Sequence, residues 1–96
     1  MSKQMLFDWD QWNEQKNEIK HGVSKLEAES AFFDQNYALF KDIRHSTGSE
    51  ERFILYGNSS ENRVLMIGFT RRGQKIRIIT ARPSSRKERG LYEQKD

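Results

Sequence analysis

The side chains that could carry out chemistry in this chain are two histidines, several carboxylates and a series of arginines near the C-terminus. The chain has no cysteine, which excludes a thiolate nucleophile and a cysteine-bound metal. His21 and His45 are not spaced as two metal ligands on one helix, and no phosphate-binding glycine loop or nucleophilic-serine motif is present. We therefore expect neither a metal nor a cofactor. What remains is acid–base chemistry by histidine or glutamate beside arginines that hold phosphate.

Positive charge is concentrated in the last third of the sequence. Residues 1–62 contain 7 Lys/Arg and 11 Asp/Glu, a net charge of −4, whereas residues 63–96 contain 10 Lys/Arg and 3 Asp/Glu, a net charge of +7. Seven of those ten cations are arginine, whose planar guanidinium can bind two phosphate oxygens at once. This distribution is typical of a surface that binds a polyanion. A solvated basic face, or a docking surface for an acidic protein, would show the same pattern.

The length of 96 residues indicates a single domain over residues 1–96. No apolar run approaches the roughly 20 residues that span a bilayer, and the N-terminal segment has no signal-peptide core. The absence of cysteine suits a reducing compartment. We therefore expect a cytoplasmic protein that does not bind a membrane.

An α+β fold must position these side chains. The predicted order is β-α-α-β-β-β-β-α, with an antiparallel sheet, two N-terminal helices packed on one face and a short C-terminal helix. Asp10 is a predicted N-cap and Gly22 a predicted C-terminal stop for the first helix, while Ser24 with Glu27 and Ser85 with Glu88 form capping boxes. The predicted strands and helices cover residues 5–9, 11–20, 24–33, 37–40, 52–56, 63–70, 75–81 and 85–94.

Strand alternation predicts which residues lie on the uncovered face of the sheet. In the last strand Ile76, Ile78 and Thr80 are expected to face the helices, and Arg77 with Ala81 to face away. The same rule places Arg52 and Tyr56 on the open face, while Arg82, just beyond the strand, can fold over its rim. Two arginines and a tyrosine on a flat surface suit an RNA backbone with stacked bases. In the second helix, Leu26, Ala28, Ala31 and Phe32 are expected to point inward.

The two histidines have different surroundings in the sequence. His21 ends the first helix, where the helix dipole favours the imidazolium form, so we expect a pKa above the usual value of about 6.5. It can be a simple C-terminal cap, a phosphate contact or a general acid. His45 lies in the polar loop 44–50 and is expected to be an exposed loop residue.

Five short motifs along the chain carry a resemblance to a known family. They are F-x-W-D at Phe7, Trp9 and Asp10; N-x-x-K-H-G-V-S at Asn17, Lys20, His21, Gly22, Val23 and Ser24; E-E-R-F-x-x-x-G at Glu50–Phe53 and Gly57; I-R-I-I-T-A-R at Ile76–Arg82; and E-R-x-x-Y at Glu88, Arg89 and Tyr92. In this order and spacing, over residues 7–93, the chain resembles the BrnT family of bacterial type II toxins.

The resemblance implies a RelE-like fold and a metal-independent ribonuclease. It also implies a cognate BrnA-like antitoxin that carries a ribbon-helix-helix element, so that operator DNA is bound only through the toxin–antitoxin complex. Cleavage of single-stranded RNA by its own 2′-hydroxyl needs a base, an acid and cations beside the phosphate. For these roles we expect Arg77 and Arg82 as cations, His21 or Glu51 as the base, and Tyr92 to orient the substrate. The expected RNA-binding residues are Arg52, Tyr56, Lys20 and Arg89.

Departures from the family pattern leave other functions open. Asn13 stands where family members often have lysine, Lys25 where they often have phenylalanine, and Pro83 begins a less basic segment than usual. A non-catalytic module that binds nucleic acid or protein would use the same basic face. A DNA-binding regulator has less support, because the sequence contains no recognisable helix-turn-helix motif.

Overall fold

A five-stranded sheet organises the part of the chain that the structure, a computed structural model, describes, residues 5–93. Its strands lie in the order β1-β5-β4-β3-β2. The elements are β1 (Leu6–Trp9), α1 (Gln11–His21), α2 (Lys25–Ser30), a 3₁₀ helix (Ala31–Phe33), β2 (Ala38–Lys41), β3 (Arg52–Asn58), β4 (Val64–Arg72), β5 (Lys75–Pro83) and α3 (Arg86–Glu93). The sequence-based order differs from this one by the 3₁₀ helix, which stands where the second helix was expected to end. None of the described helices is long and apolar enough to cross a membrane.

The sheet is mixed, so the expectation of a wholly antiparallel sheet is wrong at one edge. Strands β2 to β5 form an antiparallel meander, but β1 pairs with β5 in parallel, with Leu6 opposite Lys75 and Trp9 opposite Ile78. No hairpin turn joins β1 to β5, so their relative direction is not set by a turn. The two N-terminal helices instead carry the chain from β1 to β2, at the opposite edge.

The ends of α1 confirm the sequence prediction. The Asp10 carboxylate accepts a hydrogen bond from the backbone N–H of Trp12 at 2.8 Å. Gly22 has φ 67° and donates its N–H to carbonyls in the last turn of α1, a conformation that glycine adopts without strain. The turn of the chain between α1 and α2 is thus determined by residues at the end of α1 itself.

The two predicted capping boxes have different outcomes. Ser24 Oγ accepts a hydrogen bond from the Glu27 N–H at 3.1 Å, but the Glu27 carboxylate binds Arg63 instead of returning to Ser24. The box of α3 is complete, because Ser85 N–H donates to Glu88 Oε1 at 2.9 Å and Glu88 N–H donates to Ser85 Oγ at 3.2 Å. Glu88 is therefore held at the start of α3.

The core lies between the two N-terminal helices and one face of the sheet. Its buried members are Val23, Ala28, Ala31, Phe32, Leu55, Leu65, Ile67, Phe69, Ile78 and Ala81. The prediction that Leu26 points inward is wrong: Leu26 is 76% exposed, because the six-residue α2 buries Glu27 and Ala28 instead. The absence of a side chain at Gly57 lets β3 pack closely against the 3₁₀ helix, since a Cβ at this position would lie 2.4 Å from the Ala31 carbonyl oxygen.

A bulge in β5 changes which residues face the core. Thr80 lies opposite Gly68 and Ile78 opposite Phe69, so Ile79 is an extra residue on its strand. Beyond the bulge Ala81 is fully buried in the core, and Thr80 faces away. The predicted faces of Thr80 and Ala81 are therefore wrong.

Candidate active site on the open sheet face

A cleft of about 260 Å³ lies on the sheet face opposite the two N-terminal helices. The sheet register sets Tyr56, Met66 and Arg82 side by side across three strands, and Ile54, Gly68 and Thr80 form the next row. Two further walls come from Asp42 and His45 in the loop after β2 and from Glu88 in α3. We call this site the open-face cleft; three of the predicted site residues line it, namely Arg52, Tyr56 and Arg82.

Arg82 is the central cation of the open-face cleft. Its two terminal nitrogens donate to the two oxygens of Glu88 at 2.9 and 2.8 Å, and one of them also donates to the Pro83 carbonyl at 3.2 Å. The guanidinium keeps the pKa of Glu88 below its usual range, so Glu88 is a carboxylate that orients Arg82. Because an arginine has five N–H donors, Arg82 retains donors for a phosphate.

Tyr56 forms a buried aromatic wall of the cleft. Its ring contacts Phe40 edge-on, with ring centroids 5.9 Å apart. Burial, with the Glu88 carboxylate next, raises the pKa of the Tyr56 hydroxyl. The phenol therefore keeps its proton at neutral pH and can donate to a phosphate oxygen.

Arg52 and Arg77 lie at the end of the open face nearer the β4–β5 hairpin, on either side of Thr70. Arg52 Nε–H donates to Glu50 at 2.7 Å. Arg77 donates to Asp8 on the neighbouring β1, with the shorter contact at 3.1 Å, and does not line the cleft. Each arginine is thus fixed by a carboxylate, which positions its guanidinium before any substrate binds.

The two residues predicted as general bases lie outside the cleft. His21 ends α1, and burial, aided by Lys20, Arg82 and Lys16, lowers its pKa. The prediction of a raised pKa is therefore wrong, because burial and the neighbouring cations disfavour the imidazolium form. Glu51 forms an ion pair with Lys41 at 2.9 Å, in a separate depression beside the β4–β5 hairpin.

Three further predicted site residues lie on the helices, away from the cleft. Tyr92 donates its hydroxyl to Asp34 at 2.6 Å, in a contact between α3 and the turn before β2. Lys20 and Arg89 are exposed on α1 and α3. The structure does not bring these three residues together with Arg52, Tyr56 and Arg82.

A histidine–carboxylate pair that was not predicted from the sequence lies at the cleft. His45 Nδ1 lies 2.8 Å from Asp42 Oδ2, and both residues line the open-face cleft. The signal that could have found the pair is the D-x-x-H spacing, which brings the two side chains together within a single turn. Among residues 5–93 no cluster of three or more His, Cys, Asp or Glu side chains is arranged to hold a metal ion.

Comparison with known proteins identifies the family of this chain. Residues 9–88 match the model of the ribonuclease toxin BrnT of type II toxin–antitoxin systems. The chain belongs to the BrnT family. The crystal structure of the Brucella abortus ribonuclease toxin BrnT is similar in fold, with a TM-score of 0.62 at 21% sequence identity. The match covers 86% of this chain and 100% of the Brucella chain. A search of curated proteins finds no significant match. BrnT membership makes the chain a ribonuclease toxin whose partners are an antitoxin and RNA.

Proposed function

We propose that this BrnT-family toxin cleaves single-stranded RNA in the open-face cleft without a metal ion. The observation that carries the proposal is the meeting of Arg52, Tyr56 and Arg82 in one cleft on the sheet face opposite the two N-terminal helices. Basic residues on the sheet face beside the last helix also support a relation to RelE-like toxins. The proposed place of action is the cytoplasm, where RNA is available.

The reaction requires charge stabilisation that the arginines can supply. The RNA 2′-hydroxyl loses its proton to a base, its oxygen forms a bond to the adjacent phosphorus, and the bond from phosphorus to the 5′ oxygen breaks. The extra negative charge on the phosphorane is stabilised by the guanidinium of Arg82 and the hydroxyl of Tyr56, with Arg52 at the end of the cleft. The products are a 2′,3′-cyclic phosphate and a 5′-hydroxyl end.

Pre-positioned guanidinium groups support the metal-independent assignment. Arg82 is held by Glu88 and Arg52 by Glu50, so little reorganisation is needed when phosphate arrives. A fixed cation beside the scissile phosphate serves the electrostatic purpose that a metal ion serves in other nucleases. Arg77, which pairs with Asp8 outside the cleft, takes no part in this step and binds the flanking RNA backbone.

The decisive experiment incubates the purified chain with a single-stranded RNA in EDTA. We expect cleavage with 2′,3′-cyclic phosphate ends, and no cleavage of the same oligonucleotide with 2′-deoxy sugars. Cleavage that appears only after Mg²⁺ is added would refute metal independence. RNA binding without cleavage under every condition would support the non-catalytic binding module instead.

We further propose that a BrnA-like antitoxin with a ribbon-helix-helix element neutralises the chain, and that operator DNA is contacted only by the complex. Membership of a type II system supports a protein antitoxin, and an inhibitor that covers Arg52 and Arg82 needs complementary carboxylates. The test is co-expression with the product of the adjacent small gene, followed by purification of the complex. Inhibited cleavage and operator binding by the complex, but not by the toxin alone, are the expected results; a companion that neither binds nor inhibits would contradict the proposal.

A further inference from the structure

The open-face cleft contains a histidine–carboxylate pair, His45 with Asp42. Asp42 Oδ2 contacts His45 Nδ1 at 2.8 Å, while Asp42 Oδ1 accepts the backbone N–H of His45 at 3.3 Å. The carboxylate therefore holds both the backbone and the ring of the histidine. Because Asp42 is the mostly covered partner, with 16% of its side chain exposed against 61% for His45, the imidazole is the member that a substrate can reach.

The loop that carries the pair is held against β3 at Arg52, a residue predicted to bind the RNA phosphate. Asp42 N–H donates to the Arg52 carbonyl at 2.8 Å. Ser46 Oγ donates to the Asp42 carbonyl at 2.7 Å and accepts the Arg52 N–H at 2.9 Å. His45 is thus held at a defined position on the wall of the cleft, although it lies in a loop.

We propose that His45, oriented by Asp42, is the general base that accepts the 2′-hydroxyl proton in this cleft. The inference rests on the proposed function, since it assigns one residue of the same reaction. Asp42 accepts a hydrogen bond from Nδ1–H, which fixes the tautomer and leaves the Nε2 lone pair for the substrate. No protein group among residues 5–93 hydrogen-bonds to Nε2.

The proton balance of the step is complete with water as the only co-reactant. The 2′-hydroxyl gives its proton to Nε2 as the bond between its oxygen and phosphorus forms. The bond from phosphorus to the 5′ oxygen then breaks, and that oxygen takes a proton from water. The hydroxide so formed removes the proton from the His45 imidazolium, which restores the neutral base.

His45 fits this role better than the two bases predicted from sequence. His21 and Glu51 do not line the cleft, and Glu51 is occupied by Lys41. The titratable and charged groups around His45 come from every wall of the cleft: Asp42 in its own loop, Arg52 and Tyr56 in β3, Arg82 in β5 and Glu88 in α3. The arginines that hold the phosphate and the base that accepts the 2′-hydroxyl proton therefore share one cleft.

The test is the pH dependence of RNA cleavage by His45→Gln and Asp42→Asn. For the wild type we expect a rate that rises with pH and then levels, because a general base accepts a proton only in its unprotonated form. His45→Gln is expected to lose about 10²–10⁴ in rate together with that rise. Asp42→Asn keeps an acceptor for the His45 backbone but presents an amide donor to Nδ1, which moves the ring proton to Nε2, so the rate should also fall.

Two controls make each outcome decisive. Arg44→Gln changes the exposed neighbour of His45 in the same loop and should cleave as the wild type does. Binding of the 2′-deoxy oligonucleotide should be unchanged in His45→Gln, because a base does not hold the phosphate. If His45→Gln does not fold, Asp42→Asn carries the same test.

Three results would overturn the assignment. One is wild-type rate and pH profile in His45→Gln, while the wild type still cleaves RNA, which leaves the proposed function intact. Another is loss of the pH-dependent rise in His21→Gln but not in His45→Gln, which would make His21 the base. A wild-type chain that cleaves no RNA would overturn the proposed function and this inference together.

Discussion

The Asn17 side chain joins α1 to the bulge of β5 by accepting a hydrogen bond from the backbone N–H of Ala81 at 3.1 Å. Its amide nitrogen also donates to the Ile79 carbonyl at 3.4 Å. One of these backbone groups belongs to Ile79, the extra residue of the bulge, and the other to Ala81, two positions beyond it, where the pairing with β4 is interrupted. Because the bulge shifts the alternation by one residue, Arg77 and Arg82 share the open face although five positions separate them. A buried amide in α1 thus supports the geometry of the candidate site on the other side of the sheet.

Replacing Asn17 with alanine is expected to destabilise the protein by about 1–3 kcal/mol, because a buried N–H and a partly buried carbonyl lose their partner. The free energy of unfolding, measured with urea, checks this. Gln15→Ala, at an exposed position of the same helix, is the control and should change the stability by less than about 0.5 kcal/mol. Equal losses in the two variants would show that Asn17 does not support the bulge.

Arg82→Ala is expected to lower kcat/KM for RNA by about 10²–10³, as the loss of a pre-positioned group that stabilises transition-state charge does. The loss in Arg77→Ala should be smaller, since Arg77 pairs with Asp8 outside the cleft. Steady-state cleavage of a short RNA measures both. Arg86→Ala, at the exposed start of α3, is the charge-matched control. A larger effect at Arg77 than at Arg82 would move the reaction centre toward β1.

The sequence predicted those parts of the fold that depend on neighbouring residues. The N-cap at Asp10, the stop at Gly22 and the capping box at Ser85 are local hydrogen-bond patterns, and the structure contains all three. Alternation also placed Arg52 and Tyr56 on the open face. It failed for Thr80 and Ala81, which follow the extra residue Ile79, because a bulge depends on the register with β4 and no residue type at that position indicates it.

The candidate site was harder to predict, because it is assembled from segments distant in the chain. His45 resembles any polar loop residue until hydrogen bonds between its loop and Arg52 place it over the sheet. The capping-box pattern predicts that Glu88 caps α3, and it does, but its second role depends on contact with Arg82 from β5. Such pairs are properties of the tertiary fold, and single-sequence patterns do not contain them.

Glu27 should make stability depend on pH in the acidic range. Its carboxylate, only 5% exposed, accepts two bonds of 2.7 Å from Arg63, and these bonds hold its pKa below the usual 4.5. A depressed pKa stabilises the fold above pH 4.5, and this contribution is lost as pH falls through the folded-state pKa. Glu27→Gln should therefore cost about 1.5–3 kcal/mol at pH 7 and progressively less as the pH falls below 4.5.

Urea unfolding of wild type and Glu27→Gln at several pH values between 7 and 3 measures this difference. Glu18→Gln, which removes an exposed carboxylate from α1, controls for the change in net charge. A cost of Glu27→Gln that stays constant down to pH 3 would mean that the ionised carboxylate does not contribute to stability.

Tyr92→Phe distinguishes a structural role of this residue from a role in catalysis. Its hydroxyl donates to Asp34 Oδ2 at 2.6 Å, an oxygen that also accepts the Asn58 N–H at 2.8 Å, so Tyr92 ties α3 to β3. Burial and the Asp34 carboxylate raise the pKa of Tyr92 to about 12. A raised pKa stabilises the fold fully below pH 10, and this contribution is lost as pH rises toward 12. We expect Tyr92→Phe to lose about 1.5–3 kcal/mol of stability at pH 8, with a smaller difference from wild type above pH 10 and an unchanged cleavage rate per folded molecule.

Denaturation at both pH values and single-turnover cleavage measure these quantities; a stable variant that cleaves slowly would place Tyr92 in the reaction.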